Sequence, residues 1–459
     1  MTIFRNGWQA ERDIDVSPLR VQLRYEVMML TARFLSAALL RGAVFLWPLA
    51  IVNAESTVPS IVRAEMPREV TKEFFGLHIH QGTQPRVWPR IPFGSWRLWD
   101  AHVSWPHLQP GPRTWNFDLL DRYVQKASEE DIELVLPLGL SPSWASARQA
   151  EPSAYKQLGW AAEPQNIGVW RDYVEMVASR YKGKIRYYEI WNEPNLSRFF
   201  SGDVRAMVVL ACNAHEVIKR VDPEAKVVSP SATNKDAGLG WLSSYFEAGG
   251  DKCADIVGFH FYTWAHDPPE EIARLSQEVR NVMNAYGLGS MPLWNTESGW
   301  YVANSRVSTK TKYKVLSDHE ASAYIVRALT LAAASGMGRF FWYAWDNQTM
   351  GGLIEPDTKD LKSAAHAYAL AVKWLQGATV TECTREGNLW TCLIRKEEKV
   401  GRIVWSEKGS SRVNISGLRG ARVIHFSNVG SDSFTSLVPS DGSITVDGSP
   451  VLLTDSSSW

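Results

Sequence analysis

From residue 74 onward the chain alternates short apolar runs with longer amphipathic stretches. The runs are "FFGLHIH" (74–80), "SWRLWD" (95–100), "IELVLPLG" (132–139), "IRYYEIWNEP" (185–194), "KVVSPSA" (226–232), "DIVGFHFYTW" (255–264), "PLWNTESGW" (292–300) and "RFFWYAWD" (339–346). Each has the length and turn-bounded character of a buried strand. Helical spacing of apolar positions marks a stretch from Asp118, then 166–181, 203–221, 240–249, 269–286, 317–335 and 361–376. Strand–helix alternation predicts a parallel sheet, and eight repeats predict a closed (β/α)8 TIM barrel. A doubly wound open sheet is the alternative; its usual glycine-rich first turn does not follow the first run. From about residue 378 the texture changes to short β-prone runs broken by Gly, Ser, Asn and Asp. That pattern predicts a small all-β, sandwich-like domain, whose last run "SPVLLT" should pack back on the barrel. Structural support is its expected role, with sugar binding the minor alternative. The expected division is a leader over 1–54, a barrel over 55–377 and a β domain over 378–459.

The leader carries Arg33 and Arg41 ahead of an apolar run over 42–52, then small residues at Val52, Asn53 and Ala54. This is the layout of a secretory signal peptide, and it predicts a secreted or periplasmic protein with translation starting at Met28 or Met29. A retained membrane anchor is the rival reading, although Arg41 leaves about half of the ~20 apolar residues that a span needs.

Composition narrows the picture modestly. Lys+Arg and Asp+Glu both number 49, so no net field draws the chain to nucleic acid. The 21 tryptophans serve core packing or offer flat platforms for sugar rings. Among four cysteines, Cys383 and Cys392 flank the turn Gly387-Asn388. Hairpin pairing about that turn places them opposite each other, which predicts a disulfide over the alternative of two free buried thiols. Cys212 and Cys253 carry no local signal, and no zinc-type spacing occurs.

In a (β/α)8 barrel the active site lies at the C-terminal ends of the strands. Polar residues there are Asn192 and Glu193 on the fourth run, His260 and Tyr262 on the sixth, and Glu297 on the seventh. Arg97, His78, His80, Trp342 and Trp345 end other runs. Two carboxylates facing across one bowl are what glycosidic cleavage requires: one donates a proton to the leaving oxygen, the other attacks the anomeric carbon. Arg97 or a tyrosine hydroxyl would keep Glu297 ionised, while Glu193 beside apolar neighbours is more easily kept neutral. Glu189, earlier on the fourth run, shares a face with Glu193 by strand alternation and reads as one member of a buried pair.

"EIWNEPN" on a fourth strand and "NTESGW" on a seventh resemble clan A of the retaining (β/α)8 glycoside hydrolases. "WPHLQPGPRTWNFDLLDRYV" (105–124) and "LPLGLSPSWAS" (136–146) are similar to family 39 and related exopolysaccharide endoglycosidases. The resemblance covers roughly 70–376. It implies Glu193 as acid/base, Glu297 as nucleophile and Asn192 on the sugar 2-hydroxyl. It further implies that Tyr262 and Arg97 hold the nucleophile and that His260 lines the same subsite. Trp342 or Trp345 would lie under the sugar, with Trp144 in a further subsite. The expected partner is a poly- or oligosaccharide, with no cofactor or metal. A sugar-binding protein without catalysis and a transglycosylase remain open alternatives, as do sugar, linkage and endo or exo action.

Overall fold

The computed structural model describes residues 58–263, 267–307, 314–415, 422–425, 434–437, 442–455 and 459. The leader reading falls outside them. Eight strands form the barrel: β1 (Phe75–His78), β2 (Ser95–Arg97), β3 (Glu133–Leu138), β4 (Tyr187–Ile190), β5 in two pieces (Lys226–Val228 and Ala232–Thr233), β6 (Val257–His260), β7 (Leu293–Ser298) and β8 (Arg339–Trp342). All neighbours pair in parallel, and β8 pairs with β1. A bridge from Val228 to Ile256 joins the first piece of β5 to the start of β6. The ring is therefore closed, as the alternation of runs predicts.

Alternation within each strand decides which side chains fill the barrel. On β3, Leu134, Leu136 and Leu138 join the large cluster toward the helices, while Val135 points inward. Val135, Val228, Ile256, Trp294 and Phe341 fill the lower interior. Arg339 lies over the Tyr187 and Trp294 rings at 4.8 and 4.6 Å. The helices match the amphipathic stretches: Asp118–Glu129, Ile167–Arg180, Val204–Val221, Lys235–Glu247, Glu271–Ala285, Asp318–Ala334 and Ser363–Leu375. Their starts follow local chemistry, as in the capping box of Ser317 and Glu320.

After Leu375 the chain enters an antiparallel sheet within three residues. Its order is Ile61–Val62, Thr379–Glu386, Leu389–Lys396, Lys399–Ser406, Val451–Thr454, Arg422–His425 and Phe434–Leu437. Ile61–Val62, ahead of the barrel in sequence, thus forms an edge of the C-terminal sheet. A second pair, Ser411–Asn414 with Ser443–Val446, packs across Val404, Val423 and Leu453 to make two layers. Along the final strand Leu452 faces the barrel, and Val451 and Leu453 face the second layer. Trp405 adds a polar tie: its Nε1–H donates at 2.7 Å to Glu270, which also pairs with Arg327.

Cys383 pairs with Cys392 in the register the turn implies. A second disulfide, Cys212–Cys253, joins the Val204–Val221 helix to the turn before β6. No sequence signal marked it, because its partners meet only through barrel closure. Its separation of 41 residues against 9 makes it the larger restraint on the unfolded chain. Replacing both Cys212 and Cys253 by Ala is expected to cost about 3–4 kcal/mol in denaturant unfolding, and the hairpin pair about 2–3 kcal/mol. Equal losses would count against the loop-entropy account.

Candidate active site

Strand β4 ends in an unusual turn. Trp191 and Glu193 have φ of +59° and +46°, left-handed values that are rare outside glycine. Pro194 disfavours the helical region for the residue before it, so local preference alone does not set this conformation. Tertiary contacts hold it: Trp191 Nε1–H donates to Phe199 O at 2.8 Å, and Glu193 N–H donates to Ser231 O at 3.0 Å. Strain of this kind persists where surrounding structure enforces it, often at functional sites. Strand alternation is broken here: Trp191, two residues after Glu189, packs in the outer core, while Asn192 turns inward to the same Arg97 that Glu189 holds.

Strand β7 carries a second irregularity. Its register with β6 passes from Phe259–Asn295 to His260–Glu297, and with β8 from Phe340–Asn295 to Trp342–Ser298. Thr296 is the extra residue. Such a bulge re-aims the side chain that follows it, here Glu297.

The two glutamates face each other. One carboxylate oxygen of each and a ring nitrogen of His260 all lie within 4.8 Å of one another. Glu193 and Glu297 are 6 % and 3 % exposed. His260 Nδ1 lies 3.0 Å from Glu193 Oε1, and its Nε2 lies 4.0 Å from Glu297 Oε2. Burial pushes the His260 pKa down to about 4, so the ring is neutral near pH 7. Tyr262 Oη–H donates to Glu297 Oε1 at 2.9 Å. Burial and both carboxylates push that phenol well above its ordinary range, so it stays a donor.

Arg97 occupies the floor, fully buried. Its Nη1 donates to Glu297 Oε2 at 2.8 Å and its Nη2 to Asn192 Oδ1 at 2.8 Å. The other edge of the fork holds Glu189, through Nε at 2.5 Å and Nη2 at 3.0 Å. Burial opposes the guanidinium charge, but Glu189 and Glu297 more than offset it, and Arg97 stays cationic. Three ligand atoms from Glu193, His260 and Glu297 match the number a metal ion uses, yet Arg97 already fills the cation position against Glu297.

Charge balance departs from the sequence expectation. Arg97 and Tyr262 do contact Glu297, but burial outweighs them and raises its pKa to about 7, with His260 and Arg97 lowering it and Glu193 adding to the rise. The two carboxyls act as a coupled pair. When Glu193 holds a proton its charge no longer pushes Glu297 upward, and Arg97 with Tyr262 then favours the Glu297 anion.

His78 and His80 separate in role. His78 is buried and neutral, held below its ordinary value by burial and Arg97; its Nε2–H donates to Thr296 O at 3.1 Å. His80 holds Asp346 through its backbone N–H at 2.8 Å. The tryptophans correct the expectation of a strand-eight platform. Trp342 is 0 % exposed, its Nε1–H donates to Gly351 O at 2.9 Å, and its ring lies 5.8 Å from that of Trp300. Trp345 is 1 % exposed and donates to Val87 O at 2.5 Å. Both are packed, because an aromatic strand end reads the same whether it meets core or ligand. Trp144 is half-buried, with Nε1–H donating to Gln109 O at 3.0 Å. Sequence reasoning missed Asp100, which accepts the Tyr343 hydroxyl at 2.6 Å and adds its charge to the rise of Glu297. The polar end of "RLWD" was its available signal.

Residues 160–368 match the family described as glycosyl hydrolase catalytic core. Over 180 residues the chain is 28% identical to a β-xylosidase of Caldicellulosiruptor saccharolyticus. That stretch is 38% of this chain and 36% of the relative, so the chain spans about a third of the curated protein it matches. A family 39 glycoside hydrolase from Bacteroides cellulosilyticus shares the fold at TM-score 0.67 and 16% identity, over 84% of this chain and 81% of that one. A family 39 β-xylosidase from Caulobacter crescentus follows at TM-score 0.60 and 16% identity, over 86% and 98%. A family 30 endoxylanase from Clostridium papyrosolvens has TM-score 0.58 and 11% identity, over 86% and 99%.

Proposed function

We propose that this chain, whose core matches a glycosyl hydrolase family and whose fold is shared with family 39 and family 30 glycoside hydrolases, is a clan A glycoside hydrolase that cleaves glycosidic bonds by retaining double displacement. One observation carries the reading: carboxylate oxygens of Glu193 and Glu297 lie within 4.8 Å of each other in one bowl. Retaining enzymes hold their carboxyl groups about 5–5.5 Å apart, whereas inverting enzymes leave about 6.5–9.5 Å for a water. Glu297, against Arg97 and Tyr262, attacks the anomeric carbon as its bond to the leaving oxygen breaks. Glu193 delivers a proton to that oxygen, then takes one from the water that displaces Glu297. Asn192, oriented by Arg97, holds the sugar 2-hydroxyl in this reading.

The β-xylosidase relative makes aryl β-xylosides the first substrates to try, followed by xylan and exopolysaccharides with product sizing for endo or exo cutting. Proton NMR of the first-formed product tests the mechanism. The expected product keeps the anomeric configuration of the substrate; an inverted first product would rule out double displacement. Export is part of this proposal. Two disulfides among the described residues support an oxidising compartment, in keeping with the leader.

A further inference from the structure

Among the described barrel strands only β5 lies in two pieces, interrupted at Ser229 and Pro230; Ser231, directly after the break, bridges to Asn192 of the neighbouring strand end. Pro230 cannot donate to a ladder, so a break there follows from the sequence. Ser231 is fully buried, and its polar atoms reach two separate parts of the bowl. Its carbonyl accepts Glu193 N–H at 3.0 Å, pinning the left-handed residue that carries one glutamate. Its hydroxyl donates to Glu189 Oε1 at 2.6 Å and accepts from Thr296 Oγ1 at 2.7 Å. Glu189 in turn grips Arg97, and Arg97 grips Glu297. Thr296 is the bulge residue that aims Glu297.

Room for this hydroxyl is built in. A Cβ on Gly258, the neighbouring residue of β6, would lie 2.4 Å from Ser231 Oγ. Gly258 N–H instead donates to Ser229 Oγ at 3.0 Å, so both serines flanking Pro230 are tied to the same glycine position.

We propose that Ser231 is a positioning residue that couples the two glutamates: its carbonyl sets Glu193, and its hydroxyl sets Glu297 through Glu189 and Arg97 and through Thr296. What the positions serve rests on the hydrolase reading; the coupling itself does not. Removing the hydroxyl leaves Glu189 with one donor fewer, and its charge draws the Arg97 fork more strongly. The Arg97 contact on Glu297 then slackens, and the ionised form of Glu297 is less favoured. Other groups face Glu297 as well: His78 from β1, Asp100 after β2, Glu193 after β4, His260 from β6, Tyr262 just after it, and Tyr343 after β8. Among the described residues only Arg97 is tied to Ser231 through a buried carboxylate.

The test compares Ser231→Ala with Thr296→Val, each deleting one hydroxyl at nearly constant volume. Kinetics on an aryl glycoside across pH should show kcat reduced about 10- to 100-fold for Ser231→Ala, with KM within about threefold. The acidic limb should move up by about half a unit to one unit. A second readout needs no turnover: carbon-13 NMR of protein labelled at the glutamate carboxyl should show the Glu297 signal, assigned by its loss in Glu297→Gln, titrating at higher pH. Thr296→Val should give a smaller change of the same sign, and it carries the test if Ser231→Ala does not fold. A lower melting midpoint with kcat, pH limb and carboxyl titration all at wild-type values would overturn the proposal. If wild type cleaves no glycoside while the labelled carboxyl still moves, the hydrolase reading fails and the coupling stands.

Discussion

Glu297→Ala is expected to lower turnover of an aryl glycoside by on the order of 10⁴-fold or more, since it deletes the carboxylate proposed to form the covalent intermediate. Azide should restore activity by entering the vacated space, and the product should be a glycosyl azide of inverted configuration. Glu193→Ala is expected to behave differently. Loss of the proton donor should cost about 10²- to 10⁴-fold, least for substrates whose leaving group needs no proton. Azide should then attack the glycosyl–Glu297 intermediate and give the azide of retained configuration. The two opposite configurations, read by NMR, separate nucleophile from acid/base. If both variants bind oligosaccharide but wild type never turns over, the protein is a sugar-binding module on the same barrel. The geometry favours chemistry, because Glu297 is held by both a cation at 2.8 Å and a phenol at 2.9 Å.

Arg97→Met should abolish activity and also destabilise the fold, which distinguishes it from the glutamate variants. Arg97 is the shared counter-ion of Glu189 and Glu297, all three at 3 % exposure or less. Removing one partner of a buried pair leaves charge uncompensated and costs about 3–5 kcal/mol. Arg97→Lys should recover little, because an ammonium cannot span Glu189, Asn192 and Glu297 with one planar fork. Combining Arg97→Met with Glu189→Gln removes one of the two stranded charges, so the double variant should be more stable than Arg97→Met alone. Chemical denaturation measures both quantities. A double variant no more stable than the single would mean that Arg97 acts by packing and not by charge.

Much of the barrel was legible because its signals are local. The run "IELVLPLG" is apolar on both faces, since Leu134 and Leu136 meet helices while Val135 meets the barrel interior. The hairpin disulfide was legible for the same reason: Gly387-Asn388 fixes register within ten residues. Site residues at strand ends were legible as positions, since barrel strands expose their C-terminal ends in one bowl. Their relationships were less so. Trp342 and Trp345 look like ligand platforms in sequence and are packed in the structure. Asp100 ends the apolar run "SWRLWD" in sequence; in the structure it lies in the turn after β2 and bonds Tyr343 far along the chain.

By itself, the sequence determined the order of strands and helices, the all-β texture after residue 378, and two glutamates at the ends of the fourth and seventh strands. Periodicity and turn chemistry encode those features within a few residues. Only the tertiary structure decided that Asn192 turns inward between the left-handed Trp191 and Glu193, that Thr296 bulges to aim Glu297, and that Ser231 touches both paths. It alone joined Cys212 to Cys253. Each of these depends on where closure of the barrel brings distant backbone together. A bulge or a left-handed residue reverses strand alternation without changing the hydrophobic pattern that reports it.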